Sequence, residues 1–171
     1  MAFPSSPRPT KPDPAGPGQE SVWDYPRPPR VEPVSARLVV RFAGEVVAVT
    51  SRALRVLETA SPPSYYFPPS DVRMELLHSS GHETVCEWKG RAEHFDLVVG
   101  GQSSSRAVWA YPEPQPGYQS IAGYVAFYPG RVDEASVGAE RVTPQPGGYY
   151  GGWVTANIVG PFKGDPGTGG W

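Results

Sequence analysis

From residue 35 onward, apolar and polar side chains alternate in short runs cut by Gly and Pro, a period that puts successive side chains on opposite faces of a strand. Leu38, Val40 and Phe42 alternate with Arg37, Val39 and Arg41, and Ala43 and Gly44 turn the chain into residues 45–49, which predicts a hairpin. A turn at Ser79, Ser80 and Gly81 is expected to follow residues 72–77 and return the chain to residues 84–88. Lys89 and Gly90 start the next strand, with Phe95, Leu97 and Val99 on one face and His94, Asp96 and Val98 on the other. Residues 106–111 form another strand, stopped by Pro112, Pro114 and Pro116. Tyr124, Ala126 and Tyr128 then face one way and Val125 and Phe127 the other, and residues 131–142 predict a polar hairpin around Gly138.

The helical spacing is nowhere sustained. Leu54 and Leu57, with Thr50 or Ser51 as a cap, predict one or two helical turns and nothing longer. The pattern therefore predicts a mainly β fold: a single domain over residues 35–171, built of short antiparallel strands as an open barrel or two packed curved sheets, with at most one or two short helical segments. Residues 1–20 are expected to be a disordered, proline-rich tail, since Pro4, Pro7, Pro9, Pro12, Pro14 and Pro17 leave hardly an apolar side chain to offset ordering entropy. Residues 21–34 differ, because Val22, Trp23 and Tyr25 favour burial; they predict a lead-in that packs Trp23 on the domain surface, in preference to a proline-rich docking motif. Residues 146–171 set Tyr149, Tyr150, Trp153, Phe162 and Trp171 among glycines that allow close backbone approach, and are expected to close the core.

Composition narrows the partners. The charged fraction is 19%, the formal net charge is -2, and no cluster of Lys and Arg could track a phosphate backbone, which argues against nucleic acid. The one cysteine, Cys86, excludes an intramolecular disulfide and a multi-thiolate zinc site. Without an apolar leader or a run of membrane-spanning length, the expectation is a cytoplasmic protein with no membrane partner.

Several blocks recur in a known order: RALRVLETASPPSYYFPPSDVRMELL, CEWKG, WAYPEP, IAGYVAFYPGRVD and PGGYYGGWVTANIVGPFKGDPGTGGW. Together with the lead-in ESVWDYPRPPR they resemble the bacterial family catalogued as domain of unknown function 427, over roughly residues 19–171. The resemblance implies a small, mostly β domain and brings no agreed activity, although a nucleotidyltransferase label is sometimes attached to the family. The common α/β form of that enzyme needs Asp-x-Asp or Asp-x-Glu after a Gly-rich turn, to hold Mg²⁺ from one strand face. No such pair occurs, and the adjacent Asp133 and Glu134 would point to opposite faces of a strand.

Other chemistries are equally thin. Gly160 to Asp165 lacks the Gly-Lys-Ser/Thr ending of a phosphate loop. His78 and His82 are spaced like helical ligands but flank the expected turn and lack a third partner, so no metal and no cofactor is expected. His94 with Asp71 or Asp96 selects no serine, and no Gly-x-Ser-x-Gly occurs. Candidate catalytic groups are Lys89, Asp133 and Cys86, and whether the chain is an enzyme stays open. What stands out is in-register Tyr and Trp, which carry a polar handle that a core made only for packing does not need. Tyr65, Trp88, Trp109, Tyr111, Tyr124, Tyr128 and Trp153 are expected to wall a pocket for an aromatic, nucleotide or acyl-like small molecule. Lys89, Lys163, Asp71 and Asp133 would be its charged groups, with Lys89 as ionic contact or acid/base group. The competing classes are a protein-interaction module using the proline-rich segment and a homodimer formed through the aromatic C-terminal stretch.

Overall fold

In the computed structural model, which describes residues 12–147 and 149–165, the chain is a succession of strands joined by turns. The first are β1 (Glu20–Ser21), β2 (Arg30–Val34), β3 (Leu38–Phe42), β4 (Glu45–Thr50), β5 (Ala53–Glu58) and β6 (Ser61–Phe67). Two long strands and a third follow, β7 (Leu77–Cys86), β8 (Gly90–Val99) and β9 (Gln102–Ala110), then β10 (Val125–Phe127) and β11 (Glu134–Val137). Four two-residue strands end the series: β12 (Glu140–Arg141), β13 (Thr143–Pro144), β14 (Trp153–Val154) and β15 (Ile158–Val159). The helical pieces among the described residues are single 3-10 turns.

An antiparallel sheet of seven strands runs β2-β5-β6-β10-β9-β8-β7, and a four-stranded sheet runs β12-β11-β3-β4. Neither closes into a barrel, and the two pack face to face. The expected hairpin is β3 and β4, where Ala43 (φ 52) and Gly44 (φ 80) take the left-handed conformations that match strand twist in a two-residue turn. Leu38, Val40 and Val47 of the small sheet meet Phe67, Val108, Val125 and Phe127 of the large one. Trp153 fills the middle of this layer, its ring 5.0 Å from Tyr65 and 6.0 Å from Phe67, and its Nε1 donates to the Phe127 carbonyl at 3.0 Å. Residues 146–165 thus supply a central core side chain, as the sequence predicted; Trp171 lies outside the described residues.

Two expectations are corrected. The stretch around Leu54 and Leu57 is strand β5, not helical turns, because its backbone pairs on both edges, with β2 and with β6. Buried on both faces, with Leu54 and Val56 on one and Ala53 on the other, it becomes a short apolar run that sequence spacing cannot tell from a helix. Ser79, Ser80 and Gly81 do not form a hairpin turn; they lie inside β7, where the register with β8 jumps between Ser79 and Glu83. Gly81 (φ 74) and Ser80, whose Oγ donates to the His94 carbonyl at 2.6 Å, hold this bulge.

The segment before β2 is drawn in more deeply than a surface contact. Trp23 is 5% exposed and sits with Val22, Tyr25, Leu57 and Ile158, its Nε1 donating to the Pro161 carbonyl at 2.9 Å. Arg55 ties this segment to the sheet, donating to Glu20 at 2.6 Å and pairing with Glu32 across β2 and β5. The first eleven residues of the expected tail lie outside the described residues. No helix among the described residues is long and apolar enough to cross a membrane.

Replacing Trp153 by Ala removes the side chain that both sheets share, and should lower unfolding free energy by about 3–5 kcal/mol in equilibrium denaturation. A loss below about 1 kcal/mol would contradict its central place.

Candidate functional site

The face of the large sheet turned away from the small one carries its own aromatic row. Cross-strand register aligns Leu54, Tyr66, Ala126, Trp109 and His94 from β5 through β8, so their side chains share this outer face. Tyr111 and Ala92 continue it one step along, with Tyr128 beyond β10. Trp109 is fixed in the middle: its Nε1 donates to Tyr66 Oη at 3.1 Å, and its ring lies 4.6 Å from that of Tyr128.

Two irregular segments cover parts of this face. Tyr118 and Ile121, in the loop after β9, pack on it, and the loop grips the β7–β8 turn through a Gln115 N–H to Lys89 carbonyl bond of 2.9 Å. Residues 149–152 cross it as a strap. At Gly151 the backbone lies on the Trp109 indole, where an added Cβ would come within 2.3 Å of the ring. Gln145 holds the strap from both sides, accepting from the Gly152 N–H and donating to the Lys163 carbonyl.

Between strap and sheet is a cleft of about 400 Å³. Trp109, Tyr111, Tyr128 and Tyr150 supply its rings, with Lys89 and Cys86 at one end and Thr84 and His94 at the other. Lys89 also borders a hollow of about 110 Å³ on the other side of the strap, with Glu58, Gln145 and Gly152. Its Nζ lies 5.5 Å from the Tyr111 ring, and it makes no hydrogen bond or ion pair among the described residues.

Burial pulls the Lys89 pKa down, yet Tyr66, Cys86, Glu58 and Tyr118 outweigh it and leave the ammonium above its ordinary range. Burial, then Tyr66 and Cys86, push the Tyr111 hydroxyl up, and burial outweighs Arg131 in pushing Tyr128 up, so both phenols stay protonated. His94, 5% exposed, is held below its ordinary value by burial and then by the charges of His82, Arg131 and Arg106. Its Nε2 is 2.8 Å from Thr84 Oγ1, while its buried Nδ1 has no partner among the described residues.

Of the sequence candidates, Lys89, Trp109, Tyr111, Tyr128 and Cys86 border this cleft. Tyr65 and Trp153 do not: strand parity sends them to the inter-sheet layer, where they pack on each other. Trp88 opens on a separate hollow with Pro28, Pro29 and Tyr118, and Tyr124 packs at the rim of the outer cluster. Lys163 anchors the terminal segment, its N–H bonded to the Ala60 carbonyl and its Nζ 5.5 Å from the Tyr150 ring. Asp133 accepts from the Ala43 N–H at 2.7 Å in the β3–β4 turn, and Asp71 is taken up by Arg52 and Thr50. Sequence reasoning missed His94, Thr84 and Tyr150 as cleft residues; the shared parity of His94 and Trp109 across β8 and β9 becomes visible only once register is known.

A family model described as a domain of unknown function (DUF427), and labelled NTP_transf_9, matches residues 30–138. No curated protein matches the chain.

A histidine whose folded pKa is depressed is protonated more readily in the unfolded chain, so it contributes stability above its ordinary value of 6.5 that is lost as pH falls through the folded value. Urea denaturation between neutral and mildly acid pH should show a smaller acid loss for His94→Gln than for the parent chain. Parallel curves for the two would contradict the buried, neutral state of His94.

Proposed function

The chain belongs to the DUF427 family, whose description carries no activity, and we propose from the outer-face cleft that it binds a small planar molecule there. The rings of Trp109, Tyr111, Tyr128 and Tyr150 offer the stacking and edge contacts that flat, electron-rich ligands use. Lys89 meets an electron-rich atom of the ligand, a carbonyl or an acid. The observation that carries the reading is this half-buried ammonium facing a ring-lined cleft with no hydrogen bond or ion pair among the described residues. A charge placed so is offset most readily by a ligand. Its raised pKa favours the ionic role over that of a general base, which needs a neutral amine near pH 7.

A nucleotidyltransferase reading has weaker support. The sequence has no Asp-x-Asp or Asp-x-Glu, and Asp133 bonds the Ala43 backbone N–H instead of bordering the cleft. Catalysis of another kind would draw on Lys89 or Cys86, which share one end of the cleft.

A thermal-shift series with nucleosides, aromatic acids and acyl compounds tests the reading. A ligand present at about one hundred times its Kd stabilises by about 2.7 kcal/mol. At least one planar class should raise Tm, and Lys89→Gln should diminish the rise. No rise from any class, or a rise unchanged in Lys89→Gln and in Tyr150→Ala, would remove the cleft from consideration.

A further inference from the structure

Next to the aromatic cleft, and sharing Thr84, His94, Tyr128 and Tyr149 with it, is a chamber of about 450 Å³ whose remaining walls are His82, Arg106 and Arg131. No Asp or Glu borders it among the described residues. Two departures from regular pairing create it. In β7 the register with β8 slips between Ser79 and Glu83, and the extra residues include Gly81 at φ 74 and His82, whose N–H donates to Ser80 Oγ at 3.1 Å. In β9 the register with the same strand slips between Phe95 and Leu97, and the extra residues include Arg106 at φ 50, its N–H bonded to Asp96 Oδ1 at 2.9 Å.

A non-glycine residue in the left-handed region within a strand costs energy and persists only where its surroundings hold it. Bulges turn side chains out of the regular alternation, and here they do so from both neighbours of β8. His82 is brought to 5.0 Å from the His94 ring, and Arg106 to the same chamber from the other side. Arg131 completes the wall, its Nη1 donating to the Arg106 carbonyl at 2.8 Å and its guanidinium 4.1 Å over the Tyr128 ring. The two guanidinium groups make the chamber wall cationic, in keeping with His94 being held below its ordinary value, by burial first and then by the groups around it, Arg131 and Arg106 among them.

We infer that this chamber, where facing bulges in β7 and β9 aim His82 and Arg106 at His94, is a subsite for an anionic oxygen group, phosphate or carboxylate, carried by the planar ligand of the neighbouring cleft. The inference rests on the cleft being the ligand site and adds the ligand's class: a flat ring system bearing an acid. It also fixes polarity. Lys89 precedes Gly90 at the start of β8 and His94 lies four residues on from Gly90, a rise of about 13 Å along the strand at about 3.3 Å per residue. The ligand's acid therefore sits at the end away from Lys89.

Three probes with one ring system separate the contributions: 2-naphthol, 2-naphthoate and 2-naphthyl phosphate, titrated calorimetrically at low salt against the full chain and against Lys89→Gln, Arg106→Gln and His82→Gln. The acids should bind about tenfold more tightly than 2-naphthol, as a charge-assisted contact allows. That gain should shrink several-fold in Arg106→Gln and in His82→Gln while 2-naphthol binding is unchanged. The two acids tell whether a carboxylate suffices or a phosphate is required. No gain over 2-naphthol would overturn the subsite and leave the aromatic cleft standing. A gain that survives Arg106→Gln and His82→Gln but disappears in Lys89→Gln would place the acid at Lys89 and overturn it as well. Should none of the naphthalenes bind, pyrophosphate separates the two ideas: shifts of the His82 and His94 ring resonances would keep the anion chamber without the aromatic cleft, and unmoved resonances would remove both.

Discussion

A seven-stranded sheet with apolar side chains on both faces has a four-stranded sheet packed on one of them, and the rest of the molecule follows from that mismatch. Phe67, Val125 and Phe127 on one face are matched by Leu38, Val40 and Val47 across the layer, with Trp153 between. On the other face Tyr66, Ala126 and Trp109 have no second sheet packed over them among the described residues. Leaving that surface to water is unfavourable, so irregular chain is laid over it: the loop bearing Tyr118 and Ile121, and the strap at Gly151 and Gly152. A strap cannot tile a sheet as a second sheet does, and the gap it leaves becomes the cleft.

The same geometry explains the choice of side chains. Tyr and Trp tolerate a half-covered face because each carries a polar atom that finds a partner: Trp109 bonds Tyr66, and Tyr118 donates to the Pro29 carbonyl at 2.8 Å. Glycine appears where the strap must touch. Gly151 lies on the indole, and a Cβ at Gly152 would come within 2.4 Å of Gln145 Oε1, the atom that holds the strap. Charge is distributed unevenly around the cleft, with Lys89 at one end and Arg106 and Arg131 beyond the other. Several carboxylates are occupied elsewhere: Glu20 and Glu32 by Arg55, Asp71 by Arg52, Asp133 by a backbone N–H. A chain with a formal net charge of only -2 thereby keeps a locally positive surface beside its aromatic one.

Much of the fold was legible because period and turn chemistry are local. The β3–β4 hairpin, the opposed parities of Tyr124, Ala126 and Tyr128 against Val125 and Phe127, and the β11–β12 turn at Gly138 all follow from neighbours in sequence. What escaped was non-local. β5 resembled a helical piece because burial on both faces erases alternation, and the β7 bulge resembled a turn because Ser-Ser-Gly suits either. For the site, sequence supplied the right residue types but not which face each would take. Tyr65 and Tyr66 are adjacent, so one enters the inter-sheet layer and the other the outer cluster. Pairing register decides between them, and with it the membership of the cleft.

The two deeply placed indoles on opposite faces of the large sheet give a direct test. Trp153 Nε1 bonds the Phe127 carbonyl in the inter-sheet layer, and Trp109 Nε1 bonds Tyr66 under the strap. In a ¹H–¹⁵N spectrum recorded while a planar ligand is added, the Trp109 indole resonance should move in a saturable way and the Trp153 resonance should stay fixed. A stationary Trp109 signal under saturating ligand, or equal movement of both, would contradict a ligand site on the outer face.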